Sequence, residues 1–403
     1  MVRFNRLHAL RELREDRPVG IRSVLVVGAG IAGSTLAYFL ARTGITVTVV
    51  ERANEQRSSG SPVDVRGPAL AVVEQMNLLA PIRAAATRAR RLAAVDSSGR
   101  VIGWIPTQTG PEGIEIPRSD LAAILASAVR EQAEFHYDDT ITALREDDDG
   151  VEVTFERGAP RRFDLVVGAD GLHSTVRRLV FGPEEQFVKH LGLYIATVTT
   201  DRATADAHTV LIHNAPGRAV VVHPTTGREG AAFIFRHPLL PADQGRDIPK
   251  QKQLLSRTYD GIGWRVPELL GHLRDSDDIY FDSVSRVRLD TWSRGRTVLV
   301  GDATNCVSLL GEGSSMAISG AATLARCLTL QPTDMAAALR RYEQTHRRRL
   351  LPHHLGASIG GHILVPETRG GITARDAVFR ACKSADDLRM SIRRGRTGGP
   401  AHG

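Results

Sequence analysis

The chain has 403 residues, 42% of them hydrophobic and 24% charged, with a formal net charge of +7. These are ordinary values for a folded globular protein, and they exclude a disordered chain, a collagen-like rod and a long coiled coil. No apolar run approaches the roughly 20 residues that a membrane-spanning helix needs, so no membrane partner is expected. The excess charge is local: residues 340–396 carry 13 Lys/Arg against five Asp/Glu, residues 1–22 carry six Arg against three acids, and 23–339 are left at −4. Only four of the 52 basic residues are Lys (Lys189, Lys250, Lys252, Lys383). This distribution reads as a solvated basic surface and not as a nucleic-acid footprint. Residues 1–22 form a basic extension without an apolar run ahead of a small-residue cleavage site, so they do not read as a secretory signal. Cys306, Cys327 and Cys382 are odd in number and lack CxxC spacing. That argues against a disulfide framework or a zinc site, and for a reducing cytoplasm.

In chain order, Val24–Val27 is a short β-branched run of the kind found in buried parallel strands. A glycine-rich turn and a helix from Ser34 to Arg42 follow, with apolar positions at Leu36, Phe39 and Leu40, and Gly44 ends the helix. Thr46–Val50 is a second strand, which a right-handed crossover makes parallel to the first. Glu55–Gly67 reads as a loop rich in Ser, Gly and Arg, Ala69–Leu79 as a helix, Leu92–Pro106 as strand and turn, and Ser119–Gln132 as a helix. Ile141–Phe155 reads as a hairpin around Asp147-Asp148-Asp149-Gly150. Asp164–Gly168 is an apolar strand and Ser174–Val180 a short helix. Between 188 and 240 the pattern changes to alternating segments (Leu191–Thr199, Thr209–His213, Ala219–His223, Ala231–Arg236), the mark of an antiparallel sheet. Glu268–Arg274 reads as a helix, Asp282–Leu289 and Thr297–Gly301 as strands, and Ser314–Leu330 as a long helix. A helical stretch leads to a loose end at Arg394–Gly403.

The expected class is therefore α/β: a discontinuous Rossmann-like domain (23–180 and 280–350), an inserted β-rich substrate domain (181–279), and a C-terminal helical segment with a loose tail (351–403).

Gly28-Ala29-Gly30-Ile31-Ala32-Gly33 directly follows a strand and opens a helix, and Glu51 lies 18 residues beyond the last glycine. That context is what a dinucleotide fingerprint requires. Gly28 permits the tight turn, Gly30 lets a pyrophosphate approach the backbone, and Gly33 lets the helix pack on the sheet. The helix start at Ile31 and Ala32 offers free N–H groups and a partial positive charge. Glu51 is placed to accept ribose hydroxyls, and Arg52 to stack on adenine. This unit alone does not separate FAD from NAD.

Two distant segments separate them. Asp164-Leu165-Val166-Val167-Gly168-Ala169-Asp170-Gly171-Leu172-His173-Ser174-Thr175-Val176-Arg177 is one. Gly301-Asp302-Ala303, followed by Gly311-Glu312-Gly313 and a helix, is the other. Together with the glycine fingerprint they resemble the flavin-dependent aromatic hydroxylases, the p-hydroxybenzoate hydroxylase type of FAD monooxygenase. The tetracycline-modifying flavin monooxygenases are similar in layout. The resemblance covers about residues 23–330. It implies an FAD-dependent flavoprotein oxidoreductase that uses NADPH or NADH and O2, through a flavin C4a-hydroperoxide, to hydroxylate a small or medium aromatic or polyketide-like substrate. It also implies that Arg118 contacts FAD, that Asp64 matches an aspartate that binds flavin, and that Arg57 matches an arginine for NADPH. Asp170 acts through the turn it stabilises.

On their own chemistry, Asp302 at a strand end suits ribityl hydroxyls. Gly311 and Gly313 let backbone pass a flat ring, and the following helix points its positive end there. Small residues on that helix (Ala317, Ser319, Gly320, Ala321, Ala322) permit close packing on the sheet. The family commonly continues Gly-Asp-Ala with Ala-His and a proline. Here Thr304-Asn305-Cys306-Val307-Ser308-Leu309 follows, one residue shorter, where the protein shapes the pocket on the flavin face.

His213, His223, Phe235 and Arg236 lie on strands of the insertion, and period-2 alternation turns half of them away from the cavity. Neither a Ser-His-Asp spacing nor a metal-ligand cluster stands out, and no residue is assigned as catalytic. Two other readings remain open. One is a different FAD enzyme, a halogenase or saturating reductase; Gly103-Trp104-Ile105-Pro106 matches part of a halogenase signature. The other is a non-catalytic FAD-fold binder. The sequence sets neither the substrate nor the oligomeric state.

Overall fold

The computed structural model describes residues 20–54, 62–107, 113–200, 202, 206–225, 228–241, 247–306, 313–331, 333–350 and 361–397. The chain begins with the expected βαβ unit: β1 (Ser23–Val27), α1 (Ile31–Ala41) and β2 (Thr46–Glu51). Then come β3 (Pro62–Arg66), α2 (Pro68–Gln75), α3 (Leu79–Ala84), β4 (Arg91–Val95), β5 (Val101–Pro106), β6 (Gly113–Pro117) and α4 (Arg118–Ser127). They are followed by β7 (Glu134–Tyr137), β8 (Ile141–Asp147), β9 (Gly150–Phe155), β10 (Arg161–Phe163), β11 (Leu165–Gly168) and α5 (Thr175–Val180). The antiparallel segments form β12 (Val188–Thr200), β13 (Thr209–Ala215), β14 (Arg218–Pro224) and β15 (Glu229–Arg236). After α6 (Ile248–Thr258) and α7 (Val266–Asp275) come β16 (Tyr280–Val287), β17 (Ser293–Arg294), β18 (Thr297–Leu299), α8 (Gly313–Leu330), α9 (Met335–Leu350) and a final helix, α10 (Arg369–Thr397).

Two large sheets organise these elements. The first is six-stranded in the order β17-β18-β11-β1-β2-β7, parallel from β18 to β7. β1 is buried on both faces, which its unbroken run of Val and Leu requires. The second is seven-stranded in the order β16-β12-β15-β14-β13-β4-β5. One face of this second sheet packs Tyr194, Phe233 and Phe235 against Leu255, Tyr259, Leu269 and Leu273 of α6 and α7. The opposite, inner face carries Leu193, Ile212, Ala219, Ile234 and Val284, and part of it is covered by Val365 and by Phe379 of α10. β3 and β6 form a separate two-stranded ribbon, and β8–β10 a three-stranded sheet.

The mixed α/β class, the antiparallel sheet and the helical C-terminus follow the sequence reading. Several local expectations do not. Pro62–Arg66 is a strand, not loop, because its alternation pairs with that of β6. The helix expected over 69–79 breaks at Asn77, whose φ of 59° lies in the left-handed region that Asn tolerates. The hairpin β4–β5 and strand β16 belong to the seven-stranded sheet, through β13 and β12 respectively, although both lie within the spans read as nucleotide-binding. The final helix runs on to Thr397, past Arg394. Its straight-chain Arg and Lys residues are good helix formers, and the first proline comes only at Pro400. Among the described residues, no helix is long and apolar enough to cross a membrane.

Candidate cofactor and substrate cleft

Each signature segment lies just beyond the carboxyl end of a strand in the six-stranded sheet. Along that edge the order is Asp302 after β18, Asp170 after β11, the glycine loop after β1 and Glu51 at the end of β2. Adjacent strands are about 4.8 Å apart, so Asp302 and Glu51 cap a row roughly 14 Å long. A row with carboxylates at its ends and a glycine loop between them suits an elongated dinucleotide.

Close approach explains the glycines. Gly28 has φ +106°, and a Cβ on it would lie 2.6 Å from the Ala169 carbonyl oxygen. A Cβ on Gly33 would lie 1.9 Å from the Gly28 oxygen. At Gly30, by contrast, a Cβ would have no atom of the described residues within 4 Å beyond its own chain neighbours and helix backbone. Gly30 is also the N-cap of α1, and it brings neither a side-chain cap nor an acid in the first turn. The helix thus presents its first amides, at Ile31, Ala32 and Gly33, across open space, a ready anion site. Glu51 accepts hydrogen bonds from the amides of Ala29 (2.9 Å) and Ala53 (3.0 Å). Each carboxylate oxygen keeps a second lone pair for a ribose hydroxyl. Arg52 is exposed beside it.

At the other end, Arg118 opens α4, and its guanidinium lies 3.9 Å from Asp302. Burial raises the pKa of the Asp302 carboxyl; Arg118 opposes this and the nearby Asp282 adds to it. Gly313, the first residue of α8, stands against Asp302, with 3.7 Å from its Cβ position to Oδ1. Asp64 pairs with Arg66 at 2.6 Å. Ser315 of α8 accepts from the Arg66 amide (3.0 Å) and donates to the Asp64 carbonyl (2.7 Å). The β3–β6 ribbon is therefore fastened to the start of α8. Asp170 turns inward, accepting from Ser174 Oγ at 2.5 Å and from the Val176 amide at 3.0 Å. Both contacts lie within the turn that leads into α5. Arg57 and Gly311 lie outside the described residues.

Strand register sorts the four candidates on the insertion. His223 and Arg236 face inward with Ile234 and Val221; His213 and Phe235 face outward, toward Trp264 and Tyr259. Arg236 donates to the Val365 carbonyl (3.1 Å) and pairs with Glu367 (3.0 Å), so the C-terminal segment occupies it. His223 alone of the four turns toward the ribbon, 3.3 Å from Glu115. Burial works against the Glu115 charge, but the hydrogen bond from His223 holds its pKa below the usual carboxylate range.

Arg177 and His173 belong to the signature segment 164–177, whose pattern gives neither a role. Arg177 is fully buried and donates to the carbonyls of Leu172 (2.5 Å) and Ala303 (3.1 Å). It ties the Asp170 loop to the Asp302 loop. A basic residue two positions into a short helix carries no signal for this.

The comparisons agree with the geometry. The family model described as FAD binding domain matches residues 22–352. An uncharacterised protein of Mycobacterium tuberculosis is 43% identical over 315 residues, covering 76% of this chain and 84% of that one. A flavin-dependent monooxygenase of Legionella longbeachae is 34% identical over 326 residues, covering 79% and 83%. Among solved structures, the tetracycline destructase Tet(51) superposes with a TM-score of 0.78 at 30% identity, over 89% of this chain and 95% of that one. The chain belongs to the FAD-binding-domain family, and within it to the FAD-dependent monooxygenases of the aromatic hydroxylase type.

Proposed function

We propose that this flavoprotein uses NADPH or NADH and O2 to hydroxylate a small or medium aromatic or polyketide-like molecule, in a reducing cytoplasm. The observation that supports this reading best is the convergence of Gly30, Glu51, Arg118 and Asp302 along one sheet edge, with a second sheet turning an inner face toward the β3–β6 ribbon beside it. Bound FAD would supply the redox chemistry, accepting hydride from the nicotinamide and passing electrons to O2.

The chain's own residues do the rest. Ile31, Ala32 and Gly33 offer amides to the pyrophosphate past the bare Gly30, while Gly28 shapes the turn. Glu51 would take the adenosine ribose, and Arg52 would stack on adenine. Arg118 and Asp302 would hold the ribityl chain, and Asp64, Gly311 and Gly313 would serve the flavin ring. Asp170 keeps the intervening turn in place, and Arg57 receives the nicotinamide nucleotide. The inner face of the seven-stranded sheet, apolar at Ile195, Val221 and Ala232, orients a flat substrate and excludes water.

The purified protein is expected to be yellow, with NAD(P)H oxidation stimulated by substrate and one labelled oxygen atom from 18O2 in the product. A colourless protein that ignores added FAD, or a product labelled only from water, would overturn the reading.

A further inference from the structure

We propose that Tyr280, Asp282 and His173 form a proton line between the flavin side of the cleft and bulk solvent. The proposal rests on the monooxygenase reading above. Alternation along β16 places it: Val284 packs in the inner-face cluster and Phe281 against the outer one, so Tyr280 and Asp282 face inward with Val284. Tyr280 is 37% exposed, yet burial and then Asp282 raise the pKa of its hydroxyl, with Arg118, Cys306 and Asp302 also near enough to act on it. An open but crowded ring is the property of a concave wall.

From that wall the contacts run outward without a gap. The Tyr280 hydroxyl donates to Asp282 Oδ2 at 3.4 Å. Asp282 Oδ1 lies 3.1 Å from His173 Nε2, and His173 Nδ1 lies 2.9 Å from Glu184 Oε1. Glu184 is held in turn by Arg177 at 3.4 Å. The His173 side chain is 45% exposed, and Asp282 only 18%. A clamp between two sheets needs one carboxylate on the imidazolium. Here both ring nitrogens donate, one toward the cleft and one toward the surface, and a hydroxyl extends the row inward. Hydroxyl, carboxylate and imidazole each take a proton on one side and release one on the other. Asp282 first and then Glu184 hold the His173 pKa up to about 9, so the imidazole stands loaded at neutral pH.

The proposed reaction needs such a supply. Substrate C–H, O2, NAD(P)H and one proton give substrate C–OH, NAD(P)+ and water. The hydride brings two electrons, one oxygen atom enters the C–H bond and the other leaves as water. A proton from bulk reaches His173 Nδ1 by way of Glu184 and another leaves Nε2 for Asp282; the Tyr280 hydroxyl, turned toward the cleft, gives up its own proton there and takes one from Asp282.

The test needs no substrate. Holoprotein reduced with dithionite and mixed with O2 forms H2O2 and takes up one proton, read with a pH indicator in stopped flow. Asp282→Asn and Tyr280→Phe should slow that uptake, on the order of tenfold to a hundredfold, the low end for a positioned proton donor. His173→Ala should slow it likewise and regain speed when imidazole is added, which a purely structural role would not do. In the FAD-free chain, NMR titration should find His173 near 9 and falling toward the ordinary 6.5 in Asp282→Asn. Unchanged uptake in all three variants, no rescue by imidazole, or a wild-type His173 titrating near 6.5 would overturn the proton line alone. A wild-type chain that takes up no FAD would overturn the function reading with it.

Discussion

The edge of the six-stranded sheet and the inner face of the seven-stranded sheet are built on different terms. At the edge, backbone does the work: two glycines that tolerate no Cβ, one with open space before it, and an uncapped helix end. On the inner face, side chains do the work, and what each one meets depends on register and on which distant segment covers it. His223 meets Glu115 from another sheet, while Arg236 is taken up by the C-terminal segment. A cofactor common to a family can be held by backbone geometry that tolerates no variation. A substrate pocket made of alternating side chains can change with every strand.

Breaking the joint between the two signature loops should have the largest effect. Arg177→Ala leaves the carbonyls of Leu172 and Ala303 without this buried donor and takes one of its partners from Glu184, which keeps His173; we expect a loss of about 3–5 kcal/mol in denaturant unfolding. A loss under about 1 kcal/mol would show that the loops are held independently.

The glycine loop offers a sharper contrast. Gly33→Ala forces a Cβ against the Gly28 carbonyl and should cost about 1–3 kcal/mol in the FAD-free chain. Gly30→Ala brings its Cβ within 4 Å of no atom of the described residues beyond its own neighbours and helix backbone, so it should leave FAD-free stability within about 0.5 kcal/mol and still weaken FAD binding in a fluorescence titration. Equal effects of the two substitutions on stability would contradict the open space at Gly30.

Two histidines set opposite pH limits. His346 is buried against Gly320, Trp292 and Tyr342, and burial, then Arg349, pushes its pKa down to about 4 from 6.5. The unfolded chain therefore binds the extra proton, and stability should fall by about 3 kcal/mol as pH drops from about 6.5 toward 4. His173, raised to about 9, works the other way. Its contribution is full below about 6.5 and is lost as pH rises through about 9; half-exposure keeps that contribution small. Unfolding followed along both limbs, with His346→Gln and His173→Gln, assigns each. An acid limb unchanged in His346→Gln would remove the first assignment.

A small stability effect should also come from the inner face. His223→Gln keeps a hydrogen-bond donor toward Glu115 and should change stability by about 1 kcal/mol or less, with FAD affinity unchanged and KM for the substrate altered. Loss of FAD instead would mean that the ribbon, through Asp64 and Ser315, depends on His223.

Much of the cofactor end was legible because its demands are local. A strand, Gly28 to Gly33 and an acid 18 residues on are contiguous requirements of one turn, and Asp302 sits at the end of a β-branched run. The alternating strands β12 to β15 were equally legible, since period-2 burial is written along each one. What could not be read was pairing. β3 emerges from a Ser- and Gly-rich stretch only because β6 lies beside it, and β4–β5 leaves the nucleotide-binding span because β13 offers an edge.

By itself, then, the sequence determined the identity of the fold and the turn positions where only glycine fits, since these follow from glycine's missing Cβ and from hydrophobic period. Tertiary structure alone decided that Arg177 bridges two loops, that His173 stands between Asp282 and Glu184, and that only His223 of the four candidates on the insertion turns toward the ribbon. Those are contacts across more than 100 residues of chain for Arg177 to Ala303, His173 to Asp282 and His223 to Glu115, and no local pattern encodes a partner that far away.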